Sequence, residues 1–283
     1  MLHPVMKEVI RVEKLRRNDR MSAMMKILSD SPNRIFTLSS FCEMFGAAKS
    51  TMSEDIDLLR EVVKHFELGE LETVTGAAGG VRYRGKVSRE EARQYIEGLC
   101  EQFSGTERVL PCGYLYDADV LCTPENVDKL GAILATEYYD ANPDFVLTME
   151  TKGIPVAYAT ARNLGVPLVI ARRFSKVYEG SAVYIDYVSG SGRIETMSLA
   201  RRAVKEGQRC LIVDDFLKGG GTAKGMADLM REFSVDVVGM AFMLATATPV
   251  KKRVSGAKSL MTLEITGDEE ETAIVRPASW LLE

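Results

Sequence analysis

The sequence predicts an α/β chain in which a parallel-sheet domain follows a small α+β unit, and three observations predict it. From Asp144 onward, short apolar runs alternate with helical spacings, the rhythm of strand-helix-strand crossovers. Within that region Cys210-Leu211-Ile212-Val213 runs into Asp214-Asp215 and then into a glycine-rich turn, so a strand ends in carboxylates at the mouth of a helix. Residues 20–85 instead carry helical stripes and two strand-like runs around a glycine cluster. A boundary near Gly85 divides the chain into residues 1–85 and 86–283.

In the first unit Met21, Met24, Met25 and Leu28 recur at helical spacing and stop before Ser31-Pro32-Asn33. Ile35-Phe36-Thr37 leads to a second helix with Leu38, Phe41, Met44 and Phe45 on one face. Gly46-Ala47-Ala48 supplies the small-residue turn that lets the next helix pack closely. The third helix is expected to open at Ser50 or Thr51, where Thr51-Met52-Ser53-Glu54 fits a capping box. Met52, Ile56, Leu59 and Val63 form its buried stripe. Leu71-Glu72-Thr73-Val74 and Val81-Arg82-Tyr83-Arg84 flank Gly76-Ala77-Ala78-Gly79-Gly80 as a hairpin.

Three helices and a hairpin wing resemble a winged-helix DNA-binding domain, whose third helix enters the major groove while the wing lies on the neighbouring backbone. Glu54, Asp55, Asp57 and Glu61 make this third helix acidic, so the cations that meet phosphate must come from elsewhere. The candidates are Arg11, Lys14, Arg16, Arg17, Arg20 and Lys26, Lys49 at the helix start, and Arg82 and Arg84 in the wing. Ser50, Thr51 and Ser53 add short polar groups at the positive end of the helix. Residues 1–50 hold nine Lys/Arg against five Asp/Glu, a net of +4 in a chain whose total is −4. That asymmetry points to a polyanion partner for the first unit alone. A winged helix used only for dimerisation or for docking a protein is the alternative.

Ser88-Arg89-Glu90-Glu91 is a second capping box, opening a helix to about Phe103. Beyond Asp144 the expected strands are 145–149, 167–171, 209–213 and 236–245, with helices at about 153–163 and 221–233. Ligands of such a sheet bind beyond the carboxyl ends of its strands. There, Asp214 and Asp215 can accept hydrogen bonds from vicinal ribose hydroxyls. Phe216, Leu217, Lys218, Gly219, Gly220, Gly221 and Thr222 turn the backbone toward a 5′-phosphate at the start of a helix. Glu150, Thr151, Lys152 and Gly153 follow an earlier strand, where an ammonium and backbone N–H groups suit a pyrophosphate. Neither the P-loop nor the dinucleotide glycine pattern is present.

This acidic-glycine stretch resembles the ribose-phosphate signature of type I phosphoribosyltransferases, whose shared ligand is phosphoribosyl pyrophosphate (PRPP). The resemblance implies Mg²⁺ bridging the ligand near Asp214 and Asp215. It also implies a loop that closes over PRPP between the two motifs, with Lys176, Tyr178 and Ser181 as contacts. Arg172 and Arg173 sit at a strand end nearby, for phosphate or for solvent.

The order of the two units, Lys49-Ser50-Thr51-Met52-Ser53-Glu54-Asp55, the wing glycines, the stretch from Glu150 to Pro155 and Tyr187-Val188-Ser189-Gly190-Ser191 together resemble the purine operon repressor family of Gram-positive bacteria. That resemblance implies a cytoplasmic homodimer on operator DNA, repressing purine biosynthesis and transport genes. PRPP is then an effector without turnover, and no cofactor is permanently bound. Gly219 departs from catalytic members, which commonly carry threonine there, and no base-recognition segment is identifiable. The stretch 247–256, with Lys251, Lys252 and Arg253, reads as solvated. An active purine phosphoribosyltransferase with an accessory domain is the alternative. So is a regulator sensing another phosphorylated ribose nucleotide, guanosine polyphosphates included.

Composition narrows the class further. With 46% hydrophobic and 27% charged residues the chain reads as a soluble globular protein, and its apolar runs are too short to span a membrane. Five scattered cysteines and two histidines argue against a structural zinc site and for reduced thiols.

Overall fold

The helical spacings of the first unit become Arg17–Asp30 (α1), Leu38–Phe45 (α2) and Lys49–His65 (α3). They belong to a computed structural model that describes residues 15–76, 79–111, 114–174, 180–189, 192–267 and 271–283. Thr37 caps α2, its hydroxyl accepting from the Ser40 N–H at 3.1 Å, and Gly46 ends it at φ +60°, a conformation glycine takes without strain. Phe41 stacks between Phe36 and Phe45, at centroid separations of 5.5 and 6.0 Å. Glu70–Val74 (β1) and Gly80–Arg84 (β2) form the antiparallel wing, and Phe36 bridges to Val81. Met24, Leu28, Phe41, Met52, Ile56, Leu59, Leu71 and Val81 close the core beneath it.

The third helix opens earlier than its capping pattern suggests. Lys49 is its first residue, and Ala48 occupies the cap position without a side-chain bond. Thr51 and Glu54 therefore lie inside the helix. Glu54 does not reach back to the helix start; it accepts from Arg17 of α1 at 3.0 Å. One charge enters the buried stripe of α3: Asp55 is fully buried, with Arg20 Nε at 2.8 Å and Arg17 Nε at 3.1 Å. Arg20 also donates to the Leu15 carbonyl. This charged contact ties α1 to α3.

Contacts divide the chain between Val87 and Ser88. The second unit opens with Arg89–Phe103 (α4), capped by Ser88, whose hydroxyl accepts from the Glu91 N–H at 3.2 Å. The Glu91 carboxylate does not complete the box, because Lys129 takes it. Then come the short hairpin Val109–Leu110 (β3) and Tyr114–Leu115 (β4), the one-turn helix Ala118–Leu121 (α5), and Pro124–Tyr138 (α6). The remaining elements are Phe145–Met149 (β5), Ile154–Leu164 (α7), Leu168–Ala171 (β6), Ala182–Val188 (β7), Ile194–Ala200 (β8), Arg209–Leu217 (β9), Gly221–Glu232 (α8), Asp236–Thr246 (β10), Ala257–Thr266 (β11) and Thr272–Pro277 (β12).

Six strands form one sheet in the order β12-β11-β10-β9-β5-β6, parallel except for the antiparallel edge strand β12. All five residues of β5 are buried, as expected of a strand covered on both faces. Phe145, Leu147, Met149, Cys210 and Ile212 pack under Met226, Leu229 and Met230 of α8. β7 and β8 pair as a separate antiparallel ribbon. No helix among the described residues is long and apolar enough to cross a membrane.

Replacing Asp55 by Ala leaves Arg20 buried without its counter-charge. Stability of the first unit should fall by about 3 kcal/mol, read as an earlier transition in urea unfolding followed by circular dichroism. An unshifted transition would remove the charged contact from the account of this unit.

Candidate functional site

Two loops leave the sheet where its connections diverge. From β5 the chain passes through α7 to β6 on one side, while β9 flanks β5 on the other side and leads through α8 to β10. Open parallel sheets bind ligands in the crevice at such a divergence. The stretch Glu150 to Gly153 enters it from β5, and the stretch from Asp214 to Thr222 enters it from β9. β9 runs on to Leu217, so both carboxylates lie within the strand rather than just beyond it.

Asp214 is buried. Its Oδ1 accepts from the Thr148 hydroxyl at 3.3 Å and from the Asp215 N–H at 3.2 Å. Gly153, which opens α7, lies so close that a Cβ there would stand 1.8 Å from this oxygen and 2.7 Å from the Thr148 hydroxyl. Only glycine lets the two loops meet. Burial, followed by the neighbouring Asp215 charge, pushes the Asp214 carboxyl well above the usual carboxylate range. Burial, followed by repulsion from Asp117, raises Asp215 as well. Hydroxyl donors or a divalent cation at this pair would offset the cost of ionising it.

The glycine turn is shaped by two of its three glycines. Gly220 takes φ +80° ahead of α8, and a Cβ on Gly221 would lie 1.9 Å from the Val188 carbonyl oxygen. The first-turn N–H groups of α8 have no acceptor within the helix, which suits a phosphate. A Cβ on Gly219 would meet nothing within 4 Å, so packing does not dictate glycine there. Leu217 packs with Ala223, Phe242 and Ala245, so its side chain is buried in the apolar cluster behind the turn. Phe216 and Thr222 are half-buried, and Lys218 is exposed.

The stretch 247–256 is not simply solvated. The Arg253 N–H donates to the Gly219 carbonyl at 3.0 Å, and Lys252 Nζ donates to the Thr246 carbonyl at 2.7 Å. β10 ends beside β9, so the chain leaving it must cross the glycine turn. Partial burial lowers the Lys252 pKa.

Carboxylates already meet Lys152 and Arg172 in the crevice. Lys152 Nζ lies 2.6 Å from Asp117 Oδ1, and Arg172 lies 3.2 Å from Glu150, which also accepts from the Arg173 N–H at 2.8 Å. Asp117 carries no recognisable motif in Tyr116-Asp117-Ala118-Asp119; only the fold brings it here. Thr151 is exposed. Lys176, Tyr178, Gly190 and Ser191 lie outside the described residues.

In the first unit the structure separates two kinds of cation. Lys49, Ser50 and Ser53 are exposed at the start of α3, with Thr51 half-buried beside them, and Arg16 is exposed at the start of α1. Arg20 and Arg84 are buried and not displayed to a partner: Arg20 holds Asp55, and Arg84 reaches Glu72 at 3.3 Å and Asn33 at 3.0 Å. Arg82 is bidentate on Glu72, at 2.8 and 3.2 Å, and Arg17 holds Glu54 and Asp55. Lys26 pairs with Asp30 at the surface, 2.7 Å apart. Arg34, which the sequence did not single out, is exposed above the Phe36 ring at 5.1 Å. Arg11 and Lys14 lie outside the described residues.

Residues 16–85 match the family model of the bacterial purine repressor N-terminal domain, and residues 122–277 match the phosphoribosyl transferase domain. The chain is 43% identical to the probable purine biosynthesis transcriptional regulator PurR of Streptococcus pneumoniae over 250 residues, covering 88% of this chain and 91% of that protein. The chain belongs to the PurR family of purine biosynthesis transcriptional regulators. It is 39% identical over 269 residues to the family's transcriptional repressor from Bacillus subtilis, covering 95% and 94% of the two chains. It is 37% identical over 251 residues to the transcriptional activator of Lactococcus lactis subsp. lactis, covering 88% and 93%. The adenine phosphoribosyltransferase of Thermoanaerobacter pseudethanolicus shares the fold of the second unit. Its TM-score is 0.50 at 22% identity, over 58% of this chain and 99% of that one.

Two expectations follow for this site. Gly153→Ala should cost about 2 kcal/mol of stability by forcing the two loops apart, whereas Gly219→Ala should leave the unfolding midpoint within a degree; equal midpoints would refute the close approach. Because the folded-state pKa of Asp214 is raised, its contribution to stability is fully present below the ordinary value of 3.8 and is lost as pH rises through the folded value. Asp214→Asn should therefore raise the melting temperature at pH 7, and the gain should vanish below about pH 4. A gain that persisted in acid would contradict the sign.

Proposed function

We propose that the chain is an effector-gated transcription factor of purine biosynthesis and transport genes. Its winged helix binds operator DNA as part of a homodimer, and PRPP occupies the crevice of the second unit as an effector without turnover. The observation that carries this reading is the convergence, at one sheet divergence, of an acidic pair, a glycine turn opening a helix and a loop bearing Lys152. Asp214 and Asp215 take the ribose hydroxyls, the start of α8 takes the 5′-phosphate, and the turn after β5 takes the pyrophosphate. Mg²⁺ travelling with the ligand would supply a positive counter-charge beside carboxyls that are held back from ionising, and so favour their ionised form. Regulation without turnover agrees with the names of the relatives, which are regulators. Lys49, Ser50, Thr51, Ser53 and the start of α3 present the nucleic-acid face, with Arg16 and Arg34 as further cations.

Curated relatives include both a repressor and an activator, so the sign of regulation is settled by measurement. Fluorescence anisotropy on promoter DNA of a purine biosynthesis operon, with and without Mg²⁺-PRPP, reads it directly. Repression released by the effector appears as weaker operator binding with PRPP present. In the Asp214→Ala/Asp215→Ala protein, operator binding should persist and the PRPP response should disappear. A response that survived intact in this double variant would move the effector to another site.

A further inference from the structure

Lys152 is the only side-chain cation in the turn after β5, yet its ammonium points at a protein carboxylate, 2.6 Å from Asp117 Oδ1. The partner is unusual for a surface ion pair: the Asp117 side chain is 5% exposed, against 58% for Lys152. Asp117 stands at the position preceding α5 where an aspartate commonly caps a helix, but it makes no side-chain cap bond there. Only its backbone carbonyl serves α5, accepting from Val120 and Leu121. The carboxylate is given over to Lys152. It also stands close enough to Asp215 to raise that residue's pKa, which places it beside the crevice.

We propose that Asp117 is an internal stand-in for the ligand's pyrophosphate: a latch that holds Lys152 and thereby sets how much effector is needed to occupy the site. The inference rests on the reading of this crevice as a PRPP site. In the latch, Lys152 turns from Asp117 to the phosphoryl oxygen, and a buried carboxylate is then left without its cation. Apparent affinity is reduced by the fraction of chains in which Lys152 is released. A ligand without a pyrophosphate makes no demand on Lys152 and does not meet this penalty. Asp117 therefore discriminates between ligands by the group they carry at the anomeric carbon.

The test uses the full chain, titrated calorimetrically with PRPP and separately with ribose 5-phosphate, both in Mg²⁺. Asp117→Asn keeps the shape and removes the charge. Asp117→Ser, a residue equally at home before a helix, guards against a folding defect in the first variant. Both should bind PRPP about tenfold more tightly than the wild type, a change of about 1.4 kcal/mol, with ribose 5-phosphate affinity within twofold. In a Lys152→Met background the same Asp117 change should give no gain for PRPP. PRPP affinity that is unchanged or weaker in both Asp117 variants overturns the latch while leaving the PRPP site standing. A gain that survives in the Lys152→Met background assigns the effect to general charge and also overturns it. Wild-type protein that binds neither compound overturns the PRPP reading, and the latch falls with it.

Discussion

The second unit is organised around a single close approach, in which the start of α7 and the end of β9 meet with no room for a side chain between them. Gly153 faces Asp214 and Thr148 at distances that admit only hydrogen. This contact requires β5 and β9 to be neighbours, because the two loops can meet only if their strands are adjacent, and β5 is buried along its whole length. It also explains why Asp214 is costly. A carboxylate pressed against a backbone and shielded from water resists ionisation, and the second carboxylate beside it adds repulsion. Any charge carried by this pair is held at a cost in stability.

The same economy of charge marks the first unit, but there it serves cohesion. Asp55 occupies a position in α3 that the helical period assigns to the core, and it is kept there by two arginines of α1. Arg82 and Arg84 likewise converge on Glu72 across the wing, where hydrogen bonding with Arg82 holds the Glu72 carboxyl below the usual range. Side chains that look like a basic surface in the sequence are, in the fold, fasteners between elements.

Sequence reading succeeded where local pattern and tertiary demand coincide. The helices 38–45 and 89–103, the wing strands and β5 follow their apolar period and caps closely, and the acidic pair with its glycine turn was legible because few other folds ask for that order of residues. It failed where a side chain has two plausible destinations. Thr51 and Glu54 fit a capping box, but Arg17 offers Glu54 a stronger partner, and only tertiary structure decides such a competition. Pro124 followed by Leu130, Ile133, Leu134 and Tyr138 carried the signature of α6, and that helix was missed along with the β7–β8 ribbon and the outer strands β11 and β12. Asp117 could not have been found by pattern, since its role depends on a contact across 35 positions of sequence.

Engaging arginines internally also changes what the first unit has left for a nucleic acid. Attraction to a duplex grows with the number of condensed counterions a protein displaces, and each cation already neutralised by a neighbouring carboxylate displaces fewer. With Arg17, Arg20, Arg82 and Arg84 tied to Asp55, Glu54 and Glu72, these four arginines would add less to counterion release than their number suggests. The salt dependence of duplex binding by this unit would then follow the exposed Lys49, Arg16 and Arg34 rather than the arginines most prominent in its sequence.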